Sequence, residues 1–437
     1  MPQSSSPSYV REAMLAPELP PVTERGAIKW MRENLFSSPM NTVLTVLGLL
    51  IVYLIVSSLA PWLWNSVWFA GSEAECREIV LASAGPDATG ACWAVIRERW
   101  NQYMFGLYPN DIYWRPTLAA ALLIVAIAPV LFLSLPRQLL WVTILFPAIA
   151  YFLLWGGTIW DPVTAMLGFV VMMVVYRLLL PLTGVTVAGS LGFVAACLWW
   201  LYLSHYVALA LDSIAPIGLT PVDSDSFGGF LLAFVIGVTA ISFSLPLGIL
   251  LALGRQSDML IVKSLCVGFI ELIRGVPLIT LLFVAALLLG YFLPPETKFD
   301  LILKVIILVT FFAAAYLAEV IRGGLAALPR GQYEAADALG LDYWRAQRLI
   351  IMPQALKISI PGIVSTFIGL FKDTTLVTFV GLFDPLKGVT TAVRADIDWK
   401  AIYWEPYVFV GAIFFIICFG MSRYSMYLEQ KLKTDRH

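Results

Sequence analysis

The residues best suited to act on something outside a membrane form the stretch Glu334-Ala-Ala-Asp-Ala-Leu-Gly340, with Ile350-Ile-Met-Pro353 following. The stretch is polar and helix-favouring, and long apolar runs flank it on both sides. Gly331–Leu339 reads as a short helix closed by Gly340, because glycine tolerates the left-handed conformation that ends a helix and turns the chain. Asp342 can then cap a second helix over Tyr343–Ile351, which is expected to stop before Pro353. The product is an elbow bearing Glu334, Asp337, Asp342, Arg345 and Arg348. Such a mixed-sign surface suits docking and the transmission of force; an ordinary solvated helix-turn-helix loop is the competing reading.

A second set of candidates lies inside apolar spans: Glu271, Arg274, Lys304, Glu319, Lys372 and Asp373. A charge within a bilayer costs several kcal/mol unless paired or hydrated, so each marks a site by default. Glu271 and Arg274 are three residues apart, on one helical face, and can pair; Glu319 and Arg322 share that spacing. Lys372 and Asp373 are adjacent and cannot face each other, so each needs another partner or water. A path for a zwitterion could present both signs through Glu271, Arg274, Lys372 and Asp373, with Thr374 alongside. Interhelical ion pairs that hold the bundle are the competing reading. Lys304 is expected to snorkel to an interface. Gly275-Val-Pro277 should break or kink its helix, while Gly362 and Gly369 would let helices approach closely. There is no Gly-x4-Gly-Lys-Ser/Thr phosphate loop. The two histidines, His205 and His437, allow no metal cluster or hydrolase triad. The chain therefore reads as neither an ATPase nor another enzyme, with no metal and no cofactor.

The elements that must hold these residues are membrane helices. Of 437 residues, 60% are hydrophobic and 13% charged, with mean hydropathy +0.84, against about 25% charged in soluble domains. Runs of about 20 apolar residues, each enough to cross a hydrocarbon core, recur from Val43 onward. The expected spans are 43–64, 117–135, 139–158, 163–181, 184–211, 228–254, 262–292, 300–322, 358–382 and 405–425. The fold class is an all-α polytopic membrane protein of about ten helices. A net charge of −1 implies no attraction to nucleic acid. With residues 1–40 as a cytoplasmic tail and alternating spans, 17 Lys and Arg fall inside and eight outside. That distribution places the elbow and both termini in the cytoplasm. An apolar run starting only at residue 43 is too late for a cleaved signal peptide. Cys76 and Cys92 lie in the polar loop 71–115 and can pair if it faces an oxidising compartment. Cys197, Cys266 and Cys418 fall in apolar spans as packing. The chain divides into an N-terminal extension over 41–212, a connector over 213–226, a motif-bearing region over 227–430 and a tail over 431–437.

Glu-Ala-Ala-x3-Gly-x9-Ile-x2-Pro resembles the EAA loop of ABC importer permeases, here over 330–357. Ala315-Tyr-Leu-Ala-Glu-Val-Ile-Arg-Gly-Gly, Leu328-Pro-Arg-Gly-Gln-Tyr-Glu-Ala-Ala, Met352-Pro-Gln-Ala-Leu, Lys372-Asp-Thr-Thr-Leu and Glu271-Leu-Ile-Arg-Gly-Val-Pro-Leu narrow the resemblance. Together they resemble the polar amino-acid importer permeases of the histidine/glutamate/glutamine type. Val276 replaces a frequent Thr, and Thr375 a frequent Ser. The extension further resembles the larger permease subunit of general L-amino-acid importers (AapM/BztC type). The resemblance implies a five-helix permease core, an inner-membrane location and alternating access for L-amino acids. It also implies a separate ATPase docked on Glu334, Ala335, Ala336, Gly340 and Pro353, a second related permease and a periplasmic binding protein. A stand-alone ion-coupled amino-acid transporter is the alternative.

Overall fold

The computed structural model describes residues 26–132, 134–288, 291, 300–400 and 402–432. The expected tails before residue 26 and after 432, and most of the end of the seventh span at 289–292, lie outside them. Contacts divide the chain into two compact units. One holds the described residues up to Ala70 together with Ala74–Trp93; the other holds Gly71–Glu73 and everything from Ala94 onward.

In the first unit α1 (Gly26–Asn34) precedes the long apolar α2 (Pro39–Trp64). Ser38 Oγ accepts from the Asn41 amide to cap α2, and Pro39 supplies the preset φ of a first helical residue. After α2, Cys76 of α3 (Glu73–Ala84) is joined by a disulfide to Cys92. Trp93 meets Trp62 at 5.9 Å and stacks on Trp68 at 5.7 Å.

The second unit begins with the short helices α4 (Ala94–Glu98) and α5 (Trp100–Phe105). The spanning helices α6 (Trp114–Leu131), α7 (Leu140–Trp155) and α8 (Trp160–Leu198) follow, and a π-turn joins α8 to α9 (Ser204–Ile214). Gly184, at φ +81°, breaks α8 into two spans, at the Pro181–Gly184 punctuation visible in the sequence. The two-residue strands β1 (Gly157–Thr158) and β2 (Gly218–Leu219) pair antiparallel. Then come α10 (Gly229–Arg255), α11 (Leu260–Gly275) and α12 (Leu278–Phe283). The remaining helices are α13 (Leu301–Ala326), α14 (Gly331–Ala338), α15 (Tyr343–Ala346), α16 (Met352–Asp373), α17 (Pro385–Ala395) and α18 (Trp404–Leu432).

Nine helices among the described residues are long and apolar enough to span, and the α11–α12 pair, bent by 103°, makes a tenth if counted as one. The fold is therefore an all-α multi-span one. The bend falls at Val276-Pro277, where proline withholds the amide that would continue the helix. It divides the interior in two. Ile270 of α11 packs near the elbow with Leu253, Leu317, Ile321, Leu328, Ile351 and Ala355. Leu278 and Leu282 of α12 pack toward the other end with Leu232, Ile236, Val305, Leu370 and Val377.

More of α13 is buried than of any other of the nine spans, through the small residues Ala313, Ala314, Ala315 and Ala318. Lipid tails are as apolar as side chains, so membrane helices associate through close packing of small residues. A Cβ on Gly248 of α10 would lie 2.8 Å from Leu317 Cβ. A Cβ on Gly324 would lie 2.1 Å from Ser359 Oγ and 2.6 Å from the Ala355 carbonyl oxygen of α16. Gly362 approaches Val320 in the same way, whereas a Cβ on Gly369 would meet nothing within 4 Å.

Because the Ala355 carbonyl belongs to the backbone, Gly324→Ala must separate α13 from α16, at about 1–3 kcal/mol for overpacking. Its neighbour Gly323→Ala points into open space and should hold or gain stability through helix propensity. Thermal unfolding midpoints of the two detergent-solubilised variants check this ordering.

Candidate functional site

The elbow forms where α13 ends. Arg330 precedes α14, and Gly340, at φ +67°, turns the chain after it, its amide donating to Asp337 O at 2.9 Å and the Leu341 amide to Ala336 O at 3.1 Å. Asp342 caps α15 by accepting from the Arg345 amide at 2.9 Å, and the two side chains also pair at 3.2 Å. Gln354 Nε2 donates to Gln332 Oε1 at 2.9 Å, tying the first arm of the elbow to the start of α16.

The second arm does not stop before Pro353. A π-turn over Gln347–Ile351 carries α15 into α16, so the apolar helical segment runs over Tyr343–Val380 rather than 358–382. Proline conflicts with the carbonyl four residues back in an α-turn. The wide turn immediately before it, closed by the Met352 amide on Gln347 O, removes that conflict. Pro353 thus stands at the start of α16 as a helix-compatible first-turn residue.

Glu334 and Ala335 are exposed, and Ala336 is buried. Leu339, Tyr343 and Trp344 are also exposed, with the two aromatic rings 5.3 Å apart. This apolar and aromatic component of the elbow surface was missed in the sequence; its signal was the aromatic pair beside acidic residues in an otherwise polar loop. Burial pushes the Tyr333 phenol above its ordinary range.

The expected Glu271–Arg274 pair gives way to partners on other helices. Glu271 Oε1 meets Arg255 Nη1 at 3.0 Å, while Arg274 reaches Glu319 at 3.7 Å and lies 5.4 Å from the Tyr316 ring centroid. Glu319 is the hub. Its Oε1 lies 2.7 Å from Arg255 Nη1, an ionic contact without hydrogen-bond alignment, and its Oε2 accepts from Arg322 Nε at 3.1 Å. Helical spacing permitted Glu271 and Arg274 to meet, but each found a charge on another helix. Arg255 ends α10, Arg274 ends α11 just before the bend, and Glu319 and Arg322 lie in the last turns of α13. One carboxylate therefore gathers the elbow-side ends of three helices.

Lys372, Asp373 and Thr374 sit at the other end of α16, which is about 33 Å long at 1.5 Å per residue. The structure thus does not bring them together with Glu271 and Arg274. Thr374 is buried, its hydroxyl donates to Phe371 O at 2.7 Å, and its methyl lies close to Gly237. Beyond it Asp384 caps α17, accepting from the Leu386 and Lys387 amides; burial raises its carboxyl against the pull of those bonds.

Since Glu319 is little exposed and Glu271 is more than half exposed, their removal should differ. Glu319→Gln leaves converging guanidinium groups without their shared anion and should cost on the order of 3 kcal/mol. Glu271→Gln should cost under about 1 kcal/mol. Denaturation of both variants in the same detergent measures the difference; equal losses would contradict the hub assignment.

The family described as binding-protein-dependent transport system inner membrane component matches residues 244–434. The glutamate/glutamine/aspartate/asparagine transport system permease protein BztC of Rhodobacter capsulatus is 67% identical over 431 residues, 99% of each chain. The inner membrane amino-acid ABC transporter permease protein YhdY of Escherichia coli is 39% identical, covering 94% of each. The shorter glutamate/aspartate import permease protein GltK of Escherichia coli is 31% identical, over 46% of this chain and 91% of its own. With full-length identity of this order, and an elbow hung between two packed spans, the chain belongs to the amino-acid permeases of binding-protein-dependent ABC transport systems, as an inner membrane component.

Proposed function

We propose that the chain is one membrane-spanning subunit of an ATP-driven importer of L-amino acids, with glutamate, glutamine, aspartate and asparagine the first substrates to test. The carrying observation is the 67% identity, across the whole length, to a permease named for those four. The excess of Lys and Arg beside the elbow supports a cytoplasmic placement of the elbow and of both termini. Lacking a phosphate-binding loop, the chain takes its energy from an ATPase on a partner chain, which docks on Glu334, Ala335, Gly340 and the exposed Leu339, Tyr343 and Trp344. A periplasmic binding protein delivers the amino acid to the opposite face, and a second, related permease completes the membrane part.

In this reading ATP binding displaces the elbow. Because α15 runs through the π-turn into α16 without a break, the displacement tilts α16, and the close contact at Gly324 carries α13 with it. Lys372 and Asp373 offer both signs to a zwitterion at the far end of α16, and buried Thr374 supports the backbone there. Glu271 and Arg274 serve the ionic cluster that moves with the elbow.

Gly340→Val tests the coupling, because a β-branched residue resists the positive φ that turns the elbow. The variant should reach the membrane at normal abundance and lose ATP-driven uptake of labelled glutamate. Normal uptake at normal abundance would overturn the role given to the elbow.

A further inference from the structure

The segment Ala94–Tyr108 lies outside the family match, yet several of its residues are buried in the second unit. Tyr103 is fully buried, as are Ala94 and Val95. Gly106, at φ +69°, closes α5 and pairs with Phe227 in an antiparallel bridge, while Gly228 bridges Phe383. The Gly229 amide donates to Phe383 O at 2.7 Å. Three stretches distant in sequence are thus sewn together backbone to backbone at the start of α10.

No side chain fits between them. A Cβ on Gly106 would lie 2.3 Å from Gly228 Cα, and one on Gly229 would lie 2.2 Å from the Tyr103 carbonyl oxygen. On the next face of α5, Trp100 and Tyr103 pack on Phe409 of α18 at 5.7 and 5.8 Å. Gly388 of α17 lies against Tyr103 and Gln102. Arg99 forms an ion pair with Asp396, whose other oxygen accepts from the Asp398 amide and fixes the turn after α17. Farther along, buried Arg115 holds the connector through Thr220, with Nη1 donating to the carbonyl at 2.7 Å and Nη2 to the hydroxyl at 2.5 Å.

We propose that α5 is a staple. It holds the ends of α10, α17 and α18 away from the elbow as one block throughout the transport cycle, with Tyr103 and Arg99 as positioning residues. Backbone-on-backbone contacts between glycines have no side chain to re-pack, so they persist or are lost as a whole. Opening on that face therefore takes place between this block and the elements outside it, not among the three stapled ends. The proposal rests on the transport reading above, and wild-type uptake serves as its separate control.

The test uses the full complex, with its binding protein, in liposomes that contain ATP, and reads uptake of labelled glutamate. In Arg99→Cys/Asp396→Cys a short, reducible bifunctional thiol reagent joins α5 to the turn after α17, with joining verified on the protease-cut chain. Uptake should match that of wild type given the same reagent. Uptake that falls on joining and returns on reduction would overturn the staple, since the two elements would then have to part. Arg99→Asp should lose uptake at unchanged abundance, and Arg99→Asp/Asp396→Arg should regain it. Wild-type uptake by Arg99→Asp alone, or no recovery in the exchanged pair, would also overturn the proposal. Absence of ATP-driven glutamate uptake in the wild-type complex would instead count against the transport reading.

Discussion

The structure depends on the contact between α13 and α16, where Gly324 sits against Ser359 and the Ala355 carbonyl with no room for a methyl group. In a bilayer, helices gain little from leaving lipid for one another, and the gain comes from backbones that approach closely. This contact lies beside the elbow, which leaves α13 after Ala326 and re-enters the bundle as α16. Both ends of the elbow are therefore anchored in helices locked to each other.

The ionic cluster extends that lock sideways. Glu319 projects from the same α13 and gathers Arg255 and Arg274 from α10 and α11. Beyond Arg274 the helix breaks at Val276-Pro277, so one piece of the broken span belongs to the elbow-side core and the other to the far core. Broken helices let irregular backbone line a membrane interior where lipid does not reach it. Here the break separates the charged, elbow-side end from the end that carries Lys372 and Asp373.

Much of this was legible in the residues, for identifiable reasons. Apolar runs of bilayer length located the spans, and the Pro181–Gly184 and Gly275–Pro277 clusters marked breaks, whereas single prolines such as Pro246 and Pro361 lie inside continuous helices. Gly340 and Asp342 signalled the elbow through local turn and cap chemistry. Two features were misread. Helical spacing reports which charges share a face, not which partner another helix will present, so Glu271 and Arg274 were matched to each other. The rule that a helix ends before proline weakens in membrane helices, which tolerate proline: Pro246 and Pro361 lie inside helices, and Pro353 follows a π-turn over Gln347–Ile351. The α5 contacts left no trace in the sequence, because glycines meeting across distant loops have neither period nor charge pattern.

The proposed role of the chain is that of a working part of an ATP-driven assembly, engaged through its elbow. Its most direct test is purification of the chain from gently solubilised membranes, with identification of what accompanies it, followed by transport assays in liposomes. An ATPase and a second, smaller permease should come with it, and amino-acid uptake should require ATP. Recovery of the chain alone, transporting amino acids down an ion gradient without ATP, would contradict this role.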